Sequence, residues 1–80
     1  MDVGEAVKKR ILELCTERRI TINKLAMISG ITQSTLNNIV SGRNKSATVS
    51  TVKKVCDGLD ITLVQFFQSD LFAELEQEIR

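Results

Sequence analysis

Apolar residues in this chain recur at the spacing of a helix and nowhere sustain the alternation of a strand. Val3, Val7, Ile11 and Leu14 follow one another at intervals of four, four and three residues, which puts them on one face of a helix near residues 3–18. No proline interrupts this or any later pattern, and only four glycines occur in eighty residues. A proline inside a helix costs about 3 kcal/mol, so its absence leaves every apolar stretch free to be helical. An all-α fold follows. The length fits one domain with a small core, since a chain of this size buries roughly 60% of its unfolded surface. A hydrophobic content of 42% is too high for a disordered chain.

Start and stop signals divide the rest. Asp2 and Glu5 have the spacing of a capping box, and Arg18 and Arg19 suit the negative end of the first helix. Thr21 is a cap for a second helix from Ile22 to about Ser29, with Leu25, Ala26 and Ile28 as packing residues and Gly30 as its stop. Thr32 caps a third helix near residues 33–41, with Leu36, Ile39 and Val40 apolar, ended by Gly42. Arg43 to Ala47 reads as a polar, basic loop. Thr48 caps a fourth helix carrying Val49, Val52, Val55, Cys56 and Leu59, and Thr62 a short fifth with Leu63, Phe66 and Phe67. Ser69 opens a last helical pattern of Leu71, Phe72, Leu75 and Ile79. The expected organisation is a five-helix unit over residues 1–68 and a C-terminal helix over 69–80, the latter a candidate dimerisation element.

Several function classes are disfavoured. No apolar run approaches the roughly 20 residues needed to cross a bilayer, and no signal-peptide pattern is present. Cys15 and Cys56 both fall on apolar helical faces, as small buried hydrophobes in a reducing compartment would, and a cytoplasmic location is expected. There is no histidine, no nucleophile beside a base, no metal-ligand cluster and no glycine-rich phosphate loop, so neither an enzyme nor a cofactor is expected, and no small-molecule ligand is evident. The charge pattern is more telling. The formal net charge is only +1, yet Arg18, Arg19, Lys24, Arg43, Lys45, Lys53 and Lys54 share the stretch from Arg18 to Cys56 with no acid. A one-signed segment raises the local potential and favours a polyanion.

Within that segment, Thr21 to Gly42 has the layout of two helices joined by a glycine-containing turn. Steeply crossing helices need a small residue where they meet, supplied by Ala26, and the turn needs a residue free to take positive φ, supplied by Gly30. With Ile11 and Leu14 before it, and Leu25, Ile31, Thr32, Leu36, Ile39, Leu59, Ile61, Thr62, Leu63, Phe66 and Phe67 in order, the stretch Ile11–Phe67 resembles the Cro and phage-repressor (xenobiotic-response-element) family of helix-turn-helix DNA-binding domains. The resemblance implies a five-helix lambda-repressor-like DNA-binding bundle, double-stranded DNA as partner, and a role as a small transcriptional regulator, most commonly a repressor. The chain departs from the family pattern at Ile22, where a polar phosphate-touching residue is usual, at Ser29 and Val40, at Arg19 and Asp60, where glycine often ends a helix, and in the loop after Gly42, which lacks the usual proline and is one residue longer.

The resemblance also places the reading. In the family, the N-terminal residues of the third helix reach base edges in the major groove, which here are Gln33, Ser34 and Asn38, with Asn37 beside them. Gln and Asn pair with adenine through two hydrogen bonds, and Ser serves several bases. Arg43, Asn44 and Lys45 are candidates for the DNA backbone, followed by Lys24, Lys53 and Lys54; Thr21 and Thr48 are caps of helices that approach phosphate in the family. Arg18 and Arg19 are assigned to the helix dipole. Leu71, Phe72, Leu75 and Ile79 either cover the end of the core or join two copies, and a homodimer on DNA is expected because paired half-sites need one. The alternative is a protein-interaction module, such as an antitoxin or regulatory subunit, built on the same fold.

Overall fold

A computed structural model describes residues 1–43 and 47–79. Five α-helices follow in order: α1 (Val3–Arg18), α2 (Ile22–Ser29), α3 (Gln33–Val40), α4 (Val49–Leu59) and α5 (Leu63–Phe67), then a 3-10 turn at Asp70–Phe72. Each α-helix begins where a side chain satisfies an amide that the helix cannot. The Glu5 amide donates to Asp2 at 2.8 Å, Lys24 to Thr21 at 3.0 Å, Thr35 to Thr32 at 3.1 Å, Thr51 to Thr48 at 3.1 Å and Gln65 to Thr62 at 3.0 Å. The reciprocal box expected of Asp2 and Glu5 is only half made. The complete one is at α5, where the Thr62 amide also donates to Gln65 Oε1 at 2.8 Å.

Three of the helix ends are built from one repeated tripeptide. Arg19-Ile20-Thr21, Gly30-Ile31-Thr32 and Asp60-Ile61-Thr62 each place a residue with positive φ (55°, 67° and 56°), then an isoleucine, then the cap of the next helix. The isoleucine amide reaches back to the carbonyl five residues earlier, at 3.0 Å from Ile20 to Cys15, 3.0 Å from Ile31 to Ala26 and 2.9 Å from Ile61 to Cys56. This is the Schellman closure, and all three isoleucines pack against the core beside it. Three-residue connectors leave the chain little freedom, so α2 must turn sharply off α1, α3 off α2, and α5 off α4. Arg19 and Asp60 do the work of glycine here with a side chain attached.

The core is one cluster drawn from all five helices: Ile11 and Leu14, Leu25 and Ala26, Leu36 and Ile39, Val52, Val55, Cys56 and Leu59, and Phe66. Ala26 is completely buried, as a helix crossing requires. A second close approach joins α2 to α4, where Gly58 lies against Ser29. A methyl on Gly58 would come within 2.4 Å of Ser29 Oγ. Ser29 is buried, and its hydroxyl has no hydrogen-bond partner among the described residues. Arg10 ties α1 to α5. Its Nε donates to the Phe66 carbonyl at 2.7 Å and its Nη2 to the Gln65 carbonyl at 2.9 Å, while Nη1 pairs with Glu13. The guanidinium thus caps the last turn of α5 across more than fifty residues of sequence.

The helix expected over 69–80 is not formed among the described residues. There the turn Asp70–Phe72 is the regular part, and residues 75–79 carry no helix. Two causes are plain. A twelve-residue helix is marginal by itself, and Glu74, Glu76 and Glu78 would load negative charge onto its negative end. Phe72 instead turns onto the bundle, with its ring 4.9 Å from that of Phe67 and 6.2 Å from that of Phe66. No helix among the described residues is long and apolar enough to cross a membrane.

Candidate nucleic-acid interface

The unit formed by α2, the turn Gly30–Thr32 and α3 rests on a buried inner side and exposes its outer one. Leu25, Ala26 and Ser29 face inward from α2, and Leu36 and Ile39 from α3. With α3 anchored by those two residues, Gln33, Ser34 and Asn37 are exposed and Asn38 is half-buried. All four are uncharged, and each offers hydrogen-bond donors and acceptors in the pattern that base edges display. The N-terminal end of α3 is further ordered by a hydroxyl pair, Thr32 Oγ1 donating to Thr35 Oγ1 at 2.8 Å. At the other end Ser41 Oγ donates to the Asn38 carbonyl at 3.2 Å, and Gly42 turns the chain at φ 83°.

The residues assigned to the DNA backbone divide into groups. Thr21 and Thr48 are exposed caps whose hydroxyl oxygens are engaged by their own helices, and Thr48 Oγ1 also donates to Thr51 at 3.0 Å. Lys24, Lys54 and Arg43 are exposed and make no ion pair among the described residues. Lys53 is different: it pairs with Asp57 one helical turn on, and that hydrogen bond, with the carboxylate's charge, pushes the lysine pKa up. The acid-free window of sequence is therefore not acid-free in space along α4, because Asp57 folds back beside Lys53. Asn44 and Lys45 lie outside the described residues. Ile22 is half-buried and packed against the core, so its side chain serves the bundle.

One lysine was not singled out by sequence. Lys8 of α1 is half-buried and ends beside the turn after α3, where a methyl on Gly42 would be 4.0 Å from its Nζ. Its only sequence signal is position: it borders the buried stripe of Val7 and Ile11, whereas Lys9 is exposed. Contact with Gly42 is a product of tertiary packing and leaves no local pattern.

In the C-terminal segment, the four tail residues do not form one surface. Phe72 stacks within the chain, Leu71 and Leu75 are half-buried, and Ile79 is 82% exposed. Beside them α5 exposes Val64 and, in part, Phe67, which with Leu63 and Gln68 line a shallow apolar groove. Both thiols are buried, and desolvation pushes the pKa of Cys15 and of Cys56 above the ordinary 9.0.

Comparison with known proteins agrees with the fold. The model of the family described as Cro/C1-type HTH DNA-binding domain matches residues 10–68. Among solved structures, the crystal structure of the prophage Lp1 protein 11 is similar over 94% of this chain and 100% of its own, with 38% sequence identity and a TM-score of 0.81. No curated protein matches.

Proposed function

The chain belongs to the family of Cro/C1-type helix-turn-helix DNA-binding domains, and from that premise we propose that it is a small transcriptional regulator, a repressor, that reads duplex DNA in the major groove with α3. The observation that carries the reading is the outer side of α3. Leu36 and Ile39 fix the helix from below, and Gln33, Ser34, Asn37 and Asn38 are left with polar groups and no charge of their own. Gln33, Ser34, Asn37 and Asn38 make the base contacts; Gln and Asn choose adenine by bidentate bonding. Lys24, Arg43 and Lys54 set register on the phosphates, joined by Asn44 and Lys45 after Gly42, by Lys53 to the extent that Asp57 releases it, and by the starts of α2 and α4 at Thr21 and Thr48. A cytoplasmic location fits such a role.

Two copies occupy half-sites about one helical turn apart. Because Phe72 is engaged with Phe66 and Phe67, the two-fold contact falls to Leu71, Leu75 and Ile79. A protein-interaction module is the second reading, favoured by the exposed Val64 and Phe67 on α5.

Fluorescence anisotropy of labelled duplex over a salt series tests the proposal. Each phosphate neutralised contributes about −0.9 to the slope of log K against log salt, so four to six contacts per subunit give a steep decline. A flat salt response, or no binding to any duplex, would sink it, and co-purification of a second protein in that case would favour the module.

A further inference from the structure

The basic residues of α2, of the stretch after α3 and of α4 come from one segment of sequence, but the fold brings a further cation from α1 to the turn after α3. α1 packs against α3, and Lys8 runs from the edge of the buried stripe to the turn that ends α3, with Nζ 4.0 Å from where a Gly42 methyl would sit. Arg43 is the next residue and is exposed. Lys8 makes no ion pair among the described residues; those present join Met1 with Glu76, Arg10 with Glu13, and Lys53 with Asp57. None of the side-chain hydrogen bonds among the described residues uses its three donors either. Lys8, a half-buried residue, thus brings its ammonium to the rim of the reading unit with no carboxylate partner among the described residues.

We propose that Lys8 is a DNA-contacting residue, whose ammonium donates to a phosphate oxygen of the bound duplex beside the one met by Arg43. This rests on the duplex-binding reading. The phosphate contact at the end of α3 is then made jointly by α1 and by the residue after Gly42. The two differ in stiffness. Arg43 is exposed and follows a glycine, whereas Lys8 is a half-buried residue of a sixteen-residue helix, so it loses less side-chain freedom on binding. A contact from α1 also fixes how the whole bundle tilts on the duplex, which a cation on the recognition unit alone does not do. The competing role is structural: a cation at the negative end of α3 opposes that helix's dipole.

The two roles separate in the salt slope. Lys8→Gln, Lys8→Arg and the outward-facing control Lys9→Gln are compared with wild type by anisotropy over a salt series, on a selected duplex and a random one, alongside urea unfolding. Lys8→Gln should lower the magnitude of the slope by about 0.9 and weaken both duplexes alike. Lys8→Arg should restore the slope, and Lys9→Gln should leave it unchanged. Steep wild-type salt dependence with an unchanged slope in Lys8→Gln overturns the inference alone, and with lost stability it assigns Lys8 to the dipole. An equal fall in Lys9→Gln overturns it as a general charge effect. A wild type that binds no duplex overturns the underlying reading and this inference with it.

Discussion

Ser29 and Gly58 form a contact whose energetics can be worked out from three distances. A methyl on Gly58 would lie 2.4 Å from Ser29 Oγ, 3.1 Å from the Ile28 carbonyl oxygen and 3.1 Å from Ser29 Cα. Carbon atoms in comfortable contact sit at about 3.5–4.0 Å, so the hydroxyl is more than 1 Å too close and the other two atoms need to yield by a few tenths. Overpacking of this kind costs about 1–3 kcal/mol, and because Gly58 is the penultimate residue of α4, alanine there returns only about half of the roughly 1 kcal/mol of helix propensity that an interior position would give. Gly58→Ala alone should therefore destabilise by about 0.5–2.5 kcal/mol, centred on about 1–2 kcal/mol. Ser29→Ala should do the reverse. It removes a buried hydroxyl without a partner among the described residues, and such a group costs about 1–3 kcal/mol. In the double variant the worst contact is gone and the nearest atoms that remain are the two at 3.1 Å, so adding Gly58→Ala to Ser29→Ala should cost close to nothing. The coupling between the sites is then about 1–2 kcal/mol, well above the 0.3–0.5 kcal/mol scatter of independent sites. Urea unfolding of the four proteins, followed by circular dichroism, measures it. Additive effects within that scatter, or a Ser29→Ala protein less stable than wild type, would refute the packing argument.

Three other outcomes follow from the same structure. Arg19→Gly and Asp60→Gly should each raise stability by about 0.5–1 kcal/mol in urea unfolding, because both residues hold positive φ at a cost that glycine avoids, while Gly30→Ala should lower it by about 1 kcal/mol although its Cβ meets nothing within 4 Å. Cys15 and Cys56 should react with a thiol reagent at pH 8 only as fast as the protein opens; burial raises both pKa values, so their contribution to stability is complete below pH 9 and is lost as pH rises through the raised folded values, which a pH series of urea midpoints would show. Arg10→Met should loosen α5 first, seen as faster amide exchange at Phe66 and Phe67 than in the core of α1 or α4, because two carbonyls at the end of α5 lose their donors.

Legibility in the sequence tracked the range of the interactions involved. Thr21, Thr32, Thr48 and Thr62 each cap the helix that directly follows, a contact spanning three residues, and such signals placed the bounds of the first three helices to within a residue and the starts of the fourth and fifth. The family resemblance carried the assignment of α3, since uncharged Gln33, Ser34 and Asn38 have no distinctive pattern of their own. Contacts made across the bundle were invisible. Arg10 binds α5 from 56 residues away, Lys8 meets Gly42 across 34, and Ser29 meets Gly58 across 29, and none of these leaves a periodic trace. The tail failed for another reason: the spacing of Leu71, Phe72, Leu75 and Ile79 satisfies a helical pattern, but Glu74, Glu76 and Glu78 oppose it electrostatically and Phe72 finds Phe66 and Phe67 instead.

The central claim is that α3 reads bases while the surrounding cations read only phosphate. Selection of bound duplexes from a random pool, run in parallel with wild type, Gln33→Ala and Arg43→Ala, tests it most directly. Wild type should return a shared motif, Gln33→Ala should relax one base pair of that motif by about 1–3 kcal/mol, and Arg43→Ala should return the same motif with weaker binding throughout. A motif that Gln33→Ala leaves intact and Arg43→Ala rewrites, or no motif at all, would contradict the account.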